Sequence, residues 1–516
     1  MKRILALTLG LMMLLSLAAT AAAESGLHIA DNITLRFWYP LSISSDVPGM
    51  KDYNDSDAYA WLEKQTGVHI EWIHPAKGTE KESFTLLFAS DNPPDLIYND
   101  GRYFYPSGPD GAIADGVYVN LSGYEELMPN YMRIINSSKD LQRQTVTDDG
   151  NRWCFNYLYQ GQRNPDFGPV IRQDFLDKVG MERPVTYDDW HAVLTAFKEQ
   201  LGIEIPLYLI NDTFTRYNEF AAGFGITKDW SLATDGKTVI YGPYEDGFGE
   251  YLDMMKQWYA EGLIDQSFSI RTNAWPDDDL VLNDKVGAWC DNTSRLGNTY
   301  YPLRGATNPD FNLAGTRIPI KEGGEAHYRC PQTIIGNMQI AISASSTHIE
   351  DAIRWMDAQY SEEAAFVMNY GVVEGKDGSY YIDETGPHWG TLLTANPNGL
   401  TNSQAKKRYV TTNAPYEDYS RSEGSMTDIQ REGVALMLET DANGVIPTCI
   451  TMSEAEQEEF SDIMSDIITY EEEFAVKYVM GSTTQTFDEF RAQLKAMGIE
   501  RAIELKQASV DRYNAR

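Results

Sequence analysis

The side chains able to do covalent or metal chemistry are spread along this chain without forming a constellation. Its seven histidines are His28, His69, His74, His191, His327, His348 and His388. The closest pair, His69 and His74, is five apart, which on one regular strand puts them on opposite faces, as surface or packing residues. There is no G-x-S-x-G elbow and no H-E-x-x-H helix, so neither a serine-hydrolase nucleophile nor a zinc-protease ligand pair is encoded in its usual form. Gly223-Phe-Gly225 and Gly247-Phe-Gly249 lack the third glycine of a dinucleotide loop, and no P-loop occurs. Carboxylates are abundant, 76 in all, and two at glycosidase separation would suffice for hydrolysis, so a secreted polysaccharide-active hydrolase or lyase stays open. The other chemistry on offer is non-covalent. The 31 tyrosines and 11 tryptophans supply faces that stack on the C–H faces of sugars, while polar side chains take the hydroxyls.

Such faces work only if regular elements aim them. Residues 33–39 read as a strand, 56–65 as a helix stopped by Gly67, and 69–73 as a second strand; a helix over 81–90 and a strand over 95–98 follow. Strands alternating with helices predict βαβ units and a largely parallel sheet. A second α/β section has extended segments at 152–159 and 169–172, a helix capped by Thr186, and a strand over 205–210. Thr234-Asp-Gly-Lys237 is a hairpin turn, because Asp-Gly accepts the positive φ such turns need. Residues 245–261 form an amphipathic helix with Tyr251, Leu252, Met255 and Trp258 on one side. Ser453-Glu-Ala-Glu456 is a capping box opening a long helix that Gly481 stops, and Thr486 starts another. No repeat or low-complexity linker separates these parts, so crossing strands are expected to join them.

The ends and the charge narrow the setting. Lys2-Arg3, the apolar run 4–19 and Ala21-Ala22-Ala23 read as an export signal over 1–23. A membrane anchor is the competing reading, and the polar Glu24-Ser25-Gly26 favours cleavage. The expected location is therefore periplasmic or extracellular, with no lipid-anchor cysteine at the cleavage site. The four cysteines, Cys154, Cys290, Cys330 and Cys449, form no C-x-x-C. Export permits one bridge, Cys290 to Cys330 for instance, without implying it, and four buried thiols fit as well. A formal charge of −34 argues against nucleic acid and anionic membranes, both of which need a positive face. The length is too great for one core and suits two lobes.

Five stretches carry a family likeness in order: Ala89-Ser-Asp-Asn-Pro-Pro-Asp-Leu-Ile97, Ile171-Arg-Gln-Asp-Phe-Leu-Asp-Lys-Val-Gly180, Pro184-Val-Thr-Tyr-Asp-Asp-Trp190, Trp258-Tyr-Ala-Glu-Gly-Leu-Ile-Asp265 and Asn369-Tyr-Gly-Val-Val-Glu-Gly375. Together they resemble the extracellular solute-binding proteins of family 1, the substrate-binding components of ABC transporters, and among them the long oligosaccharide-binding type. The resemblance implies an α/β, two-lobed periplasmic-binding-protein-like fold of type II, each lobe a sheet flanked by helices, with extra C-terminal helices. Lobe one would be 24–150 plus 338–430, and lobe two 151–337 plus 431–516. A small ligand, expected to be an oligosaccharide, would be held in the cleft as the lobes close on a hinge. A monomeric, non-enzymatic carrier would then deliver it to the permease subunits of an ABC importer; a sensory or adhesion protein on the same fold is the alternative. Many long members carry a calcium loop before an Ile-Pro-Leu strand. Here Phe197-Lys-Glu-Gln-Leu-Gly-Ile-Glu204 precedes Ile205-Pro-Leu207, and two glutamates with a glutamine are too few oxygens, so no calcium and no other cofactor is expected.

Clefts in α/β lobes open beyond the carboxyl ends of strands. That rule selects Trp38 and Tyr39, Asp91 and Asn92, Arg172, and Trp289 with Asp291 and Asn292. Trp230, Tyr328, Arg329 and Trp389 are added as loop residues able to stack on or bind a ligand. Each has a plain structural alternative: Trp38 and Tyr39 as core, Asp91 as a turn cap, Arg172 as half of an internal ion pair.

Overall fold

The alternating pattern folds around two sheets in the computed structural model of the protein, which describes residues 26–44, 46–90, 92–100, 105–161, 167–210, 220–271, 276–292, 295, 296, 300, 304, 307–327, 334–395, 398–421, 426–439, 444–447 and 450–516. The export signal, Cys330 and Cys449 lie outside the described residues. In chain order the strands are β1 (Ile33–Trp38), β2 (Val68–Ile73), β3 (Leu96–Asn99), β4 (Phe155–Tyr159), β5 (Phe167–Arg172), β6 (Ile205–Leu207), the hairpin β7 (Trp230–Leu232) and β8 (Val239–Tyr241), β9 (Val286–Asn292), β10 (Leu313–Gly315), β11 (Ile335–Ile342), the hairpin β12 (Tyr380–Asp383) and β13 (Gly386–Trp389), and β14 (Tyr416–Glu417).

The first sheet has the order β14-β4-β11-β3-β1-β2. β1 runs parallel to β2 and β3, and β14 parallel to β4. β11 is antiparallel to both its neighbours, β3 and β4. β3 is buried along its whole length, as a strand must be when helices cover both faces of its sheet. The helix Asp57–Thr66 ends, as the sequence predicts, on Gly67 with φ 75°. There a side chain would strike the Ala30 carbonyl, so the turn into β2 requires glycine. The pattern alone groups Phe155–Tyr159 with the second section, but its hydrogen bonds to β11 and β14 place it in the first sheet.

The second sheet has the order β10-β5-β9-β6, with β9 antiparallel to β5 and parallel to β6. Its helix Tyr187–Leu201 opens with the expected capping box, Thr186 and Asp189. The C-terminal helices Glu454–Val479, Phe487–Ala496 and Ile499–Ala515 complete this unit. Phe474 stacks on Phe490 at 4.0 Å, and both share a core with Trp190 and Trp258.

Three crossings join the sheets: β4 to β5, β10 to β11, and β14 to the helix Asp428–Met437. That helix packs on β10, where a Cβ on Gly315 would lie 2.7 Å from the Gly433 Cα, so two glycines permit the close approach. A non-covalent link adds to the crossings. Arg512 donates to Asp148 at 2.9 Å, Arg516 pairs with the same carboxylate, and the Arg143 guanidinium lies 4.4 Å from the centre of the Tyr513 ring.

Beneath the hairpin β7–β8 the carboxyl group of Glu471 is buried and accepts a hydrogen bond from the Tyr241 phenol, while its Oε1 is left without a partner. Burial pushes it from 4.5 up to about 8. The folded state therefore holds a proton that the unfolded state releases. The stability this contributes is complete below about pH 4.5 and is lost as pH rises through about 8. Glu471→Gln is expected to flatten that decline: the difference in unfolding midpoint between the variant and the wild type should grow in the variant's favour from pH 5 to pH 9. A constant difference across that range would show that Glu471 is already ionised in the fold.

Candidate ligand-binding site

The crossings share one edge of the first sheet. β1, β2 and β3 end there, β4 and β14 end there, and the antiparallel β11 begins there. This is where open α/β sheets bind ligands, beyond the carboxyl ends of strands. At this edge β11 is bulged: its register against β4 shifts between Ile335 and Gln339. Asn337 is exposed and Met338 half-buried, which is how a bulge re-aims side chains. At Gly336 a Cβ would come within 3.3 Å of the Tyr157 carbonyl oxygen, so glycine eases the close approach of β11 to β4. Half-buried Tyr159 meets Tyr419 edge-on at 6.2 Å, and Gln160 donates to the Tyr416 carbonyl at 3.3 Å. The edge thus carries aromatic and amide groups suited to a polyhydroxylated ligand.

In the second sheet β5 begins opposite the end of β9, with Phe167 paired to Asn292. Asn292 is half-buried at that end. Asp291 beside it is fully buried; it accepts from the Trp289 indole at 2.8 Å and from the Asn292 amide at 2.7 Å, and pairs with Arg295 at 3.1 Å. Burial raises its carboxyl above the ordinary range. Trp289 is wholly enclosed and meets Tyr300 edge-on at 5.5 Å. Asp291 therefore orders the core behind the edge, and Asn292 stands at it.

The other selected residues are placed differently. Trp38 is fully buried, its indole donating to Ser83 at 3.0 Å. Tyr39 is enclosed among Tyr53, Trp72 and Tyr98, and burial pushes its phenol up to about 12. Neither presents a free face, because the sheet is covered on both sides. Asn92 is exposed, but it precedes β3 and so stands at the strand's amino end, where its carbonyl accepts from Arg36 at 2.8 Å. Arg172 ends β5 at the edge away from the crossings. Its guanidinium is fully buried between the Phe175 and Phe311 rings, bidentate to Asp174 at 2.7 Å and paired with Asp284 at 2.8 Å. Trp230 packs on Tyr241 and Phe460 among the C-terminal helices. Trp389 is buried, donating to the Asn369 carbonyl at 2.9 Å. Asp91, Tyr328 and Arg329 lie outside the described residues. His69 pairs with Glu63 at 3.1 Å on the surface, and His74 bonds the Tyr39 carbonyl at 2.7 Å in a packing role.

Asn337 and Met338 were not selectable from strand exits, since they stand at the start of β11 and a bulge is invisible without its partner strand; Tyr159 closes the extended segment 152–159, but the pairing that brings it to this edge shows only in the fold. One local signal marked the place: Gly336 interrupts an apolar run, a common sign of a bulge.

Ahead of β6 the helix Tyr187–Leu201 closes on Gly202 with φ 68°, and Glu204 is paired with Lys285 at 3.1 Å. Glu199 and Gln200 lie in the last helical turn. Among the described residues no group of three or more His, Cys, Asp or Glu is placed to hold a metal ion, and no helix is long and apolar enough to cross a membrane.

Two sheet-centred lobes with strand exits at the crossing edge define a two-lobed binding protein. The chain belongs to the bacterial extracellular solute-binding protein family, whose model matches residues 48–366, more than half its length. It is similar to the fructooligosaccharide ABC transporter substrate-binding protein FusA of Streptococcus pneumoniae, with 23% identity over 499 residues, 90% of this chain and 88% of that protein. Its fold is similar to that of the alginate-binding protein AlgQ2, with a TM-score of 0.74 and 20% identity over 95% of this chain and 100% of that one. A second similar structure is an extracellular solute-binding protein of Bifidobacterium longum subsp. infantis, with a TM-score of 0.73 and 15% identity over 93% of this chain and 98% of that one.

Arg172 gives a direct check on this placement. Removing one member of a buried ion pair costs roughly 3–5 kcal/mol, so Arg172→Ala should lower denaturant stability by that order while the folded fraction keeps its ligand affinity. A variant that stays stable but loses ligand would return Arg172 to the site.

Proposed function

We propose that this protein captures an oligosaccharide between its lobes and hands it, unaltered, to the permease subunits of an ABC importer. The observation that carries the reading is the bulged crossing edge, where Tyr159 ends β4, Tyr419 follows β14, and Asn337 and Met338 stand at the bulged start of β11. Lobe one is the unit around the first sheet and lobe two the unit around the second, with the expected boundaries at 150/151 and 337/338 moved past β4 and ahead of β11 because both strands pair in the first sheet. Closure brings Asn292 and its neighbours over a ligand lying on the tyrosines. The oligosaccharide class is supported by the relatives, FusA being a fructooligosaccharide-binding component and AlgQ2 an alginate-binding protein. The chain acts as an exported monomer, cleaved after Ala23, and binds without calcium. Enzymatic turnover is not part of the reading, which follows the family match and the binding-protein relatives.

Tryptophan fluorescence and thermal shift against neutral and acidic oligosaccharides test this. A saturable response is expected, with the midpoint rising with ligand as mass action requires and the ligand recovered intact. Tyr159→Ala and Tyr419→Ala should each weaken binding by roughly ten-fold, about 1.4 kcal/mol, and a chelator should change neither midpoint nor affinity. A cleaved ligand would make the protein an enzyme, and silence across the panel would remove the saccharide.

A further inference from the structure

The helix Asn402–Tyr409 carries three consecutive cations that the fold treats unequally. Lys407 pairs with Asp46 at 2.7 Å. Arg408 donates to the Asp55 carbonyl and lies 3.9 Å from the Asp57 carboxylate. Lys406 has no such partner: among the described residues, no carboxylate is in ion-pairing range of its ammonium. That ammonium is half-buried and lies 4.6 Å from the centre of the Trp389 indole, with the Arg421 guanidinium 5.7 Å from the same ring.

Two acids at the end of β14 are already engaged. Glu417 pairs with Arg421 at 2.8 Å, and Asp418 accepts from the Tyr370 hydroxyl at 2.6 Å. Arg421 is itself buried, donating to the carbonyls of Thr411 and Thr412 at 3.2 Å each. The indole cannot turn away, because its N–H is held by the Asn369 carbonyl, and the Asn369 amide is pinned to the Tyr416 carbonyl at 2.9 Å and to the Asp418 amide at 3.0 Å. Burial, and then the positive charge of Arg421, bring the Lys406 ammonium down to about 8, opposed by the negative charge of Glu417. A half-buried ammonium beside a guanidinium costs stability unless an anion joins it. Glu417 and Asp418 stand where the third crossing leaves β14, with Tyr419 next in line. Lys406 thus borders the edge that holds the tyrosines.

We propose that Lys406 is an anion-recognition point of the cleft and that the saccharide bound there carries a carboxylate, as a uronate does. This rests on the saccharide-binding reading above. It adds a ligand class and the residue that selects it. The cation–π contact with Trp389 holds the ammonium in place, and the ligand carboxylate supplies a counter-charge that no described residue gives it.

The test is isothermal titration of the full chain and of Lys406→Met with trigalacturonate and with a neutral fructose trisaccharide. The wild type should prefer trigalacturonate, and the variant should lose at least ten-fold of that affinity while its affinity for the neutral sugar stays within about two-fold. Wild-type affinity for trigalacturonate should weaken from pH 7 to pH 9 as the ammonium is lost, and the variant's should not. The ligand-free variant should melt no lower than the wild type, since it sheds an uncompensated charge; were it to misfold, Lys406→Gln provides the same comparison. Equal trigalacturonate binding by wild type and variant would overturn the inference. So would a wild type that binds only the neutral sugar, which would leave the saccharide reading standing. Failure to bind either would overturn both.

Discussion

The first sheet depends on a strand that arrives late. β11 lies between β3 and β4 and supplies backbone hydrogen bonds to both, yet the chain reaches it only after building the second sheet. Without it, β4 and β14 have no connection to β1, β2 and β3. Unpaired backbone groups in a covered sheet are costly, so lobe one cannot close around its core until lobe two's strands have been laid down. The three crossings follow from this insertion, and so does the edge at which they gather.

The same strand creates the site. Because β11 runs against its neighbours, its amino end meets the carboxyl ends of the others, and the bulge there turns Asn337 and Met338 out of the sheet. Behind that edge the fold spends its polar groups on rigidity: Asp291 fixes Trp289 and Arg295, and Asn369 fixes Trp389, β14 and the Asp418 turn.

Local signals in the sequence were read correctly wherever one element decided the outcome. Thr186, Ser453 and Thr486 start helices with capping boxes, and Gly67 ends one, because caps are decided within a few residues. The two-lobed α/β architecture was legible from alternation and from the ordered motifs. Pairing was not, since the partner of Phe155–Tyr159 lies some 180 residues away in β11. Nor was the fate of Trp38 and Tyr39, because alternation assigns one residue to each face and here both faces are covered. Arg172 stands at a strand exit as expected, but β5 points away from the crossings and aims that exit at an internal ion pair. Lys406 gave no signal at all; its isolation shows only against the paired charges around it.

The clasp of Arg512 and Arg516 on Asp148 sits beside the stretch that enters β4, at the end of that strand opposite the crossings. Two bodies fastened at two separated places keep one easy motion, a rotation about the line through both fastenings. One fastening here is covalent chain and the other is ionic. The ion pairs of the second are partly buried and are backed by the Arg516 hydrogen bond to the Arg143 carbonyl, so salt screens them far less than surface pairs, and the single swivel persists as ionic strength rises.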